Sequence, residues 1–247
     1  MKTMVLAVFV CMLTIINFVS ANPVYFDDGQ THSINNNTYQ NDTIWLDENT
    51  TNDPGTHLEL LSGGKASIIL PFNKSTVTIN GGSLDGFNVS IDTHGDNIIT
   101  INSGSLIGDV SAHNNSRIYM NGGSIINSPK GSISDIYAYD NSICVIRGGT
   151  IDGILGTADN GIIYLYGSNF QIDGQTLNHG DSLRSYATIP SGYDYFTGRI
   201  TGTLQNGSAL DNDFYIGALT SDDIVVVPEP ATICLFAFAG LMLRRKK

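Results

Sequence analysis

The nine residues Thr76-Val77-Thr78-Ile79-Asn80-Gly81-Gly82-Ser83-Leu84 decide the architecture, because the chain repeats the phrase. It recurs at 98–106, 117–125, 143–151 and 162–170, with a fainter copy at 58–64. The residues that open the turn are Asn80, Asn102, Asn121, Arg147 and Tyr166, spaced 22, 19, 26 and 19 residues apart. Similarity at a period near twenty means stacked coils, none of which can bury its apolar side alone.

Within each phrase the apolar residues alternate with polar ones, as in Val77/Ile79, Ile99/Ile101, Ile118/Met120, Cys144/Ile146 and Ile163/Leu165. A period of two is a strand buried on one side. Leu84, Leu106, Ile125, Ile151 and Phe170 each follow the second member by five residues, across a glycine corner. A second short strand is expected at Val89/Ile91, Val110/Ala112, Ile136/Ala138 and Ile154. Polar turns at 95–97, 114–116, 140–142 and 159–161 close each coil. Strand, glycine corner, strand and polar turn predict an all-β fold, a parallel β-solenoid of about five or six rungs. The chirality of parallel crossovers makes a right-handed coil the expectation.

Around this body, the expected organisation is a signal peptide at 1–21, an irregular N-terminal cap at 22–55 with Trp45 packed over the first coil, and the solenoid at 56–180. An antiparallel β cap follows at 181–226, with Gln205-Asn206-Gly207 as a hairpin turn, and a sorting tail at 227–247. The leader has Lys2, an apolar stretch from Met4 to Val19 and small residues before a cleavage point after Ala21. The tail has Val227-Pro228-Glu229-Pro230, a short apolar transmembrane helix at 231–243, and Arg244, Arg245, Lys246 and Lys247. Thirteen residues of helix reach about 20 Å, against about 30 Å of hydrocarbon, so the span is short and leans on snorkelling cations. Those cations would stay in the cytoplasm, leaving the two prolines to keep an extended junction at the outer face.

This tail resembles the PEP-CTERM sorting signal, which some classifications catalogue as an ice-binding protein C-terminal domain. The resemblance covers about twenty residues and all parts of the motif in order. It implies export through the secretion machinery and transient inner-membrane anchoring. Recognition by an exosortase-type sorting enzyme would follow, with delivery to the cell surface, outer envelope or matrix of a Gram-negative bacterium that makes exopolysaccharide. Exopolysaccharide is therefore an expected partner. The tail does not describe what the body does.

Charge narrows the partners further. Setting aside Lys2 and the four tail cations leaves seven of the twelve Lys and Arg against 23 acidic residues, a balance of −16. So acidic a surface repels phosphate backbones, which excludes nucleic acid, and it repels anionic polysaccharide unless divalent cations bridge them. Cys11 and Cys234 fall in the leader and tail, which leaves Cys144 as a small core residue with no disulfide partner.

Solenoids of this class include polysaccharide lyases and hydrolases, so a groove of carboxylates needs consideration. The candidates are Asp85, Asp92, Asp96, Asp109, Asp135, Asp140, Asp152, Asp159 and Asp173, several of them at turns where Asp is favoured for local hydrogen bonding. A lyase would set a Lys or Arg beside them, but Lys74, Arg117, Lys130 and Arg147 show no clustering, and no spacing singles out a hydrolase pair. His32, His57, His94, His113 and His179 lack metal spacing, although His94 and His113 lie one rung apart and are expected to stack. The calcium-binding nonapeptide is absent, and the outward threonines Thr76, Thr78 and Thr100 give way at once to Arg117 and Tyr119, which disfavours ice binding. The expected function is thus a non-enzymatic exported solenoid with a structural, adhesive or exopolysaccharide-associated role. A polysaccharide-active enzyme is the alternative, and no cofactor is implied.

Overall fold

The computed structural model describes residues 23–49, 55–217 and 223–228. The expected signal peptide with its cleavage at Ala21, the apolar helix at 231–243, Glu229, Pro230 and the basic end from Arg244 to Lys247 all lie outside these residues. Among the described residues the fold is all-β apart from one 3-10 turn, Leu183–Ser185, and it winds into a solenoid of about six turns. No helix there is long and apolar enough to cross a membrane.

Each turn has three faces, and strands on each face stack in parallel register. The first face carries the repeated phrase: β2 (Thr31–Ile34), β4 (His57–Leu60), the starts of β6 (Thr76–Asp92) and β8 (Ile98–Ala112), β9 (Arg117–Met120), β12 (Ile143–Ile146), the start of β15 (Ile162–Ile172) and β19 (Asp223–Pro228). The second is short: 65–66 of β5 (Lys65–Asn73), 83–84 of β6, 105–107 of β8, β10 (Ser124–Ile126) and β13 (Thr150–Ile151). The third stacks β1 (Pro23–Phe26), 43–46 of β3 (Tyr39–Leu46), 68–71 of β5, 91–92 of β6, 110–112 of β8, β11 (Ile136–Ala138), β14 (Leu155–Thr157) and 214–216 of β18 (Ala209–Gly217).

Three details differ from the sequence reading. Leu84, Leu106, Ile125 and Ile151 sit on a face of their own, where two strands per coil were expected. On the third face Val110 pairs with Ile91, not Val89, and Ile136 pairs with Leu155, not Ile154. The segment expected as an irregular cap holds β1, β2 and β3, in regular parallel pairing with the coils that follow. Accordingly Trp45 does not cover the first coil. Ile44 and Leu46 are the fully buried residues of β3, and Trp45 between them faces outward, as alternation requires.

Inside, equivalent side chains climb the axis at about 4.8 Å per rung. Leu60, Ile79, Ile101, Met120, Ile146, Leu165 and Val226 form one ladder, and Ile44, Ile69, Ile91, Val110, Ile136, Leu155 and Phe214 form another. Each such burial stabilises the fold by about 1.5–3 kcal/mol, which is how one rung supports the next without disulfides. The glycine corner has a steric reason: Gly82 has φ 69°, and a Cβ there would lie 2.4 Å from the Gly64 carbonyl oxygen of the rung below. At the polar corner Asn73, Asn114, Asp140 and Asp159 take left-handed backbone with φ of 57°, 56°, 55° and 61°, a conformation Asn and Asp tolerate better than other side chains. Just past that corner Ser75, Asn97, Ser116 and Ser142 are buried. Their polar atoms are satisfied locally: Asn97 Nδ2 donates to the Pro71 carbonyl at 2.9 Å, and Ser142 Oγ to that of Ala112 at 2.9 Å.

The two ends differ. β17 (Tyr195–Leu204) and β18 form the expected antiparallel hairpin, and β17 also pairs antiparallel with the end of β15, followed by β16 (Gln175–Thr176). β19 is instead parallel to β15, and its far edge is covered where the Val226 N–H donates to the Asp181 carbonyl at 3.2 Å and Gly180 N–H to that of Val226 at 2.8 Å. At the N-terminal end β1 and β2 each pair on one side only among the described residues. The remaining strand, β7 (His94–Gly95), continues the third face beside 72–73 of β5.

Candidate functional site

The third face meets the polar corner at an edge where one residue per rung is aromatic. Trp45 stacks on Phe72 (centroids 5.5 Å, planes 6° apart), Phe72 on His94 (5.0 Å, 21°), His94 on His113 (5.6 Å, 12°) and His113 on Tyr139 (4.6 Å, 9°). Tyr25 extends the column at one end, and at the other Tyr137 lies beside the last ring on the same rung. From Phe72 onward the register of the corner produces this, since Phe72 pairs with His94 and each later rung places its residue over the last, while Trp45 pairs with Leu70 and reaches Phe72 from two positions away.

Carboxylates line the ladder. Asp92 lies between the two imidazoles, Oδ2 at 3.3 Å from His94 Nε2 and Oδ1 at 3.2 Å from His113 Nε2, while Asp140 Oδ2 is 3.9 Å from His113 Nδ1. One step inward on the face, Asp109 Oδ1 accepts the Asp135 backbone N–H at 2.9 Å. Asp135 in turn accepts the Tyr137 hydroxyl at 2.9 Å and the Ile154 N–H at 2.7 Å. Burial, with the charge of Asp135 added, raises the Asp109 carboxyl above the ordinary aspartate range, although the Asp135 N–H opposes the shift. Burial likewise raises the phenols of Tyr137 and Tyr139, with neighbouring aspartates adding to it, so both remain neutral hydrogen-bond donors at ordinary pH.

Of the carboxylates singled out in the sequence, the fold thus brings Asp92, Asp109, Asp135 and Asp140 to one edge. From its left-handed turn position Asp159 adds its charge near Tyr139 at the same edge, and the others are dispersed. Asp96 accepts Asn115 Nδ2 at 2.9 Å in its turn, Asp152 faces the Asn127 N–H at 3.4 Å, Asp173 holds a left-handed turn position, and Asp85 borders a separate groove with Lys65 and Gln40. The basic side chains are engaged elsewhere: Arg147 packs over Tyr119 and Tyr166, Lys130 over Phe87, and Arg117 lines a groove with Asp96 and Ile98. His94 and His113 do stack, as expected one rung apart. Their near-parallel planes cannot both aim a lone pair at one ion, and among the described residues no group of three His, Cys, Asp or Glu could hold a metal. Cys144 is fully buried and its thiol is pushed up to about 12 by burial alone, which makes it chemically quiet.

The aromatic ladder itself was not anticipated, although the sequence marks it. Phe72, His94, His113 and Tyr139 are spaced 22, 19 and 26 residues apart, the same intervals that separate the repeated phrases. Of the residues expected to form a sorting motif, Val227 and Pro228 occupy the last two positions of β19, opposite Tyr166 and Gly167. The folded body therefore includes the first two of these residues. Searched against protein families, curated proteins and solved structures, the chain matches none.

Proposed function

We propose that the protein is an exported, exosortase-sorted β-solenoid of the cell surface or extracellular matrix, with a structural, adhesive or exopolysaccharide-associated role. One observation carries the non-enzymatic part of this reading. At the edge where carboxylates and imidazoles gather, Asp92 faces His94 and His113, Asp109 and Asp135 each accept a backbone N–H, and Asp135 also accepts the Tyr137 hydroxyl, so these groups are directed at neighbouring parts of the stack. A lyase or hydrolase needs an acid and a base converging on one substrate bond, and a stacked ladder does not provide that geometry. The tail supports the address by its sequence, through Val227, Pro228, Glu229 and Pro230, an apolar stretch at 231–243 and the cations Arg244, Arg245, Lys246 and Lys247. Because Val227 and Pro228 belong to a strand of the body, processing is expected beyond Pro228, so that β19 stays with the delivered protein.

Mass spectrometry of the exported protein tests the address: a C-terminus shortly after Pro228 is expected, and an intact Arg244-to-Lys247 end would refute processing. Incubation with a polysaccharide panel and assay of reducing ends tests the activity, with no turnover expected. The second reading, a polysaccharide-active enzyme, draws on Asp109, whose raised carboxyl lies near Asp135, the pairing of a protonated acid with a second carboxylate. Turnover abolished by Asp109→Asn would establish that reading instead.

A further inference from the structure

Away from the ladder, the hairpin of β17 and β18 turns an outward face to solvent at the C-terminal end of the third face. Tyr193, Tyr195 and Tyr215 stand in a row on it, centroids 5.0 Å apart at both steps and planes tilted by 49°. The tilt separates them from the stacked rings of the ladder, since it leaves ring faces uncovered: Tyr193 is 58% exposed and Tyr215 36%. Beside them Arg199 donates from Nε to Asp211 at 2.8 Å and from Nη1 to Asp213 at 3.4 Å, all three on the open surface. The neighbour of Tyr215 on the rung below is Gly156, and the Tyr137 ring lies across that gap, so the row joins the end of the ladder.

We propose that this face binds a neutral, linear, hydroxyl-rich polysaccharide. Open tyrosine rings suit the C–H faces of sugar rings, and paired carboxylates around a guanidinium offer fixed donors and acceptors to adjacent hydroxyls. The row runs from Tyr193 to Tyr195 along the chain and then crosses diagonally to Tyr215 on β18, and three rings in line favour a chain over a compact ligand. Two carboxylates against one guanidinium leave the face negative on an already acidic protein, so a uronate or sulfated polymer is repelled. An extended peptide would need a free strand edge, yet β17 is flanked by β18 on one side and by β15 and a Thr188–Thr197 bridge on the other. The inference rests on reading the protein as a surface or matrix component, and it names the polymer class and the face that meets it.

Affinity electrophoresis of the exported protein tests it, in gels cast with galactomannan, hydroxyethylcellulose or alginate. Retardation by at least one of the neutral polymers is expected, and none by alginate. The double variant Tyr193→Ala/Tyr215→Ala should bind about tenfold or more weakly, in keeping with the loss of two ring contacts. Tyr164→Ala on the first face should bind as the parent does, and an unchanged melting curve for the double variant shows that the site and not the fold was lost. Equal retardation of parent and double variant overturns the site while leaving the surface-protein reading intact. Retardation by alginate alone, no retardation of a folded protein in any gel, or capture of a basic peptide without neutral-polymer binding overturns the proposal. Release of reducing ends from the gel polymer instead counts against the surface-protein reading beneath it.

Discussion

At the scale of single residues, alternation separates neighbours sharply. Ile101 is 1% exposed within the ladder between Ile79 and Met120, while Thr100 beside it points outward. Ile101→Asp places a carboxylate in the dry interior and should abolish cooperative unfolding in urea, whereas Thr100→Asp should stay within about 0.5 kcal/mol of the parent. Equal loss from both would sink the facing assignment. Asp109 allows a test by pH. Its carboxyl is raised from an ordinary value of 3.8, by burial first. A raised acid favours the folded chain while protonated, so that contribution is fully present below pH 3.8 and is lost as pH climbs through the folded value. Asp109→Asn keeps the oxygen that accepts the Asp135 N–H and removes the half-buried charge. It should therefore raise the urea midpoint at pH 7 and leave it nearly unchanged at pH 3.5. A gain of the same size at both would rule out ionisation as the cause.

At the scale of elements, the first face was legible because its corner has constant length: five residues separate Ile79 from Leu84, Ile101 from Leu106 and Met120 from Ile125. The next corner has no such constancy. Leu84 to Ile91 takes seven residues, Leu106 to Val110 four, Ile125 to Ile136 eleven and Ile151 to Leu155 four. The extra residues bulge outward, as at Phe87, which takes φ 62°. Phase read from the preceding strand slips across them: within the expected Val89/Ile91 strand it is Ile91 that pairs with Val110, and Leu155, one residue beyond Ile154, pairs with Ile136. The hairpin was legible from its Asn206-Gly207 turn, but the parallel return of β19 was not, since nothing local distinguishes a parallel from an antiparallel edge strand. The glycine corner carries its own prediction. Gly82→Ala adds a Cβ at φ 69° and 2.4 Å from a backbone oxygen, which should cost about 1–3 kcal/mol and lower the melting temperature. Gly207→Ala in the hairpin turn, where φ is also positive but nothing lies within 4 Å, should cost less. If the order were reversed, close approach between rungs would not be what requires glycine at the corner.

At the scale of the whole molecule, a solenoid is nearly one-dimensional, and its stability is set by contacts between neighbouring rungs. Rungs with a neighbour on both sides hold their strands twice over, and the end rungs once. The C-terminal end makes up the difference, since the hairpin and the 180–182 segment cover the edges of β15, β18 and β19. Among the described residues the N-terminal end has less: β1 and β2 pair on one side, and Phe26, His32 and Tyr39 partly screen the core there. Unfolding should therefore begin at β1–β3 and move toward the C-terminus. The sequence contains one tryptophan, Trp45, and it sits on β3, within that first region, stacked on Phe72. Its fluorescence reports the N-terminal rungs, while far-ultraviolet circular dichroism reports every strand. In a urea titration the fluorescence midpoint should fall below the dichroism midpoint, and native-state hydrogen exchange should protect 98–120 more than 23–46. Coincident midpoints together with uniform protection would mean that the rungs unfold as one unit, with the aromatic ladder from Trp45 to Tyr139 coupling the first rungs to the middle more tightly than backbone pairing alone.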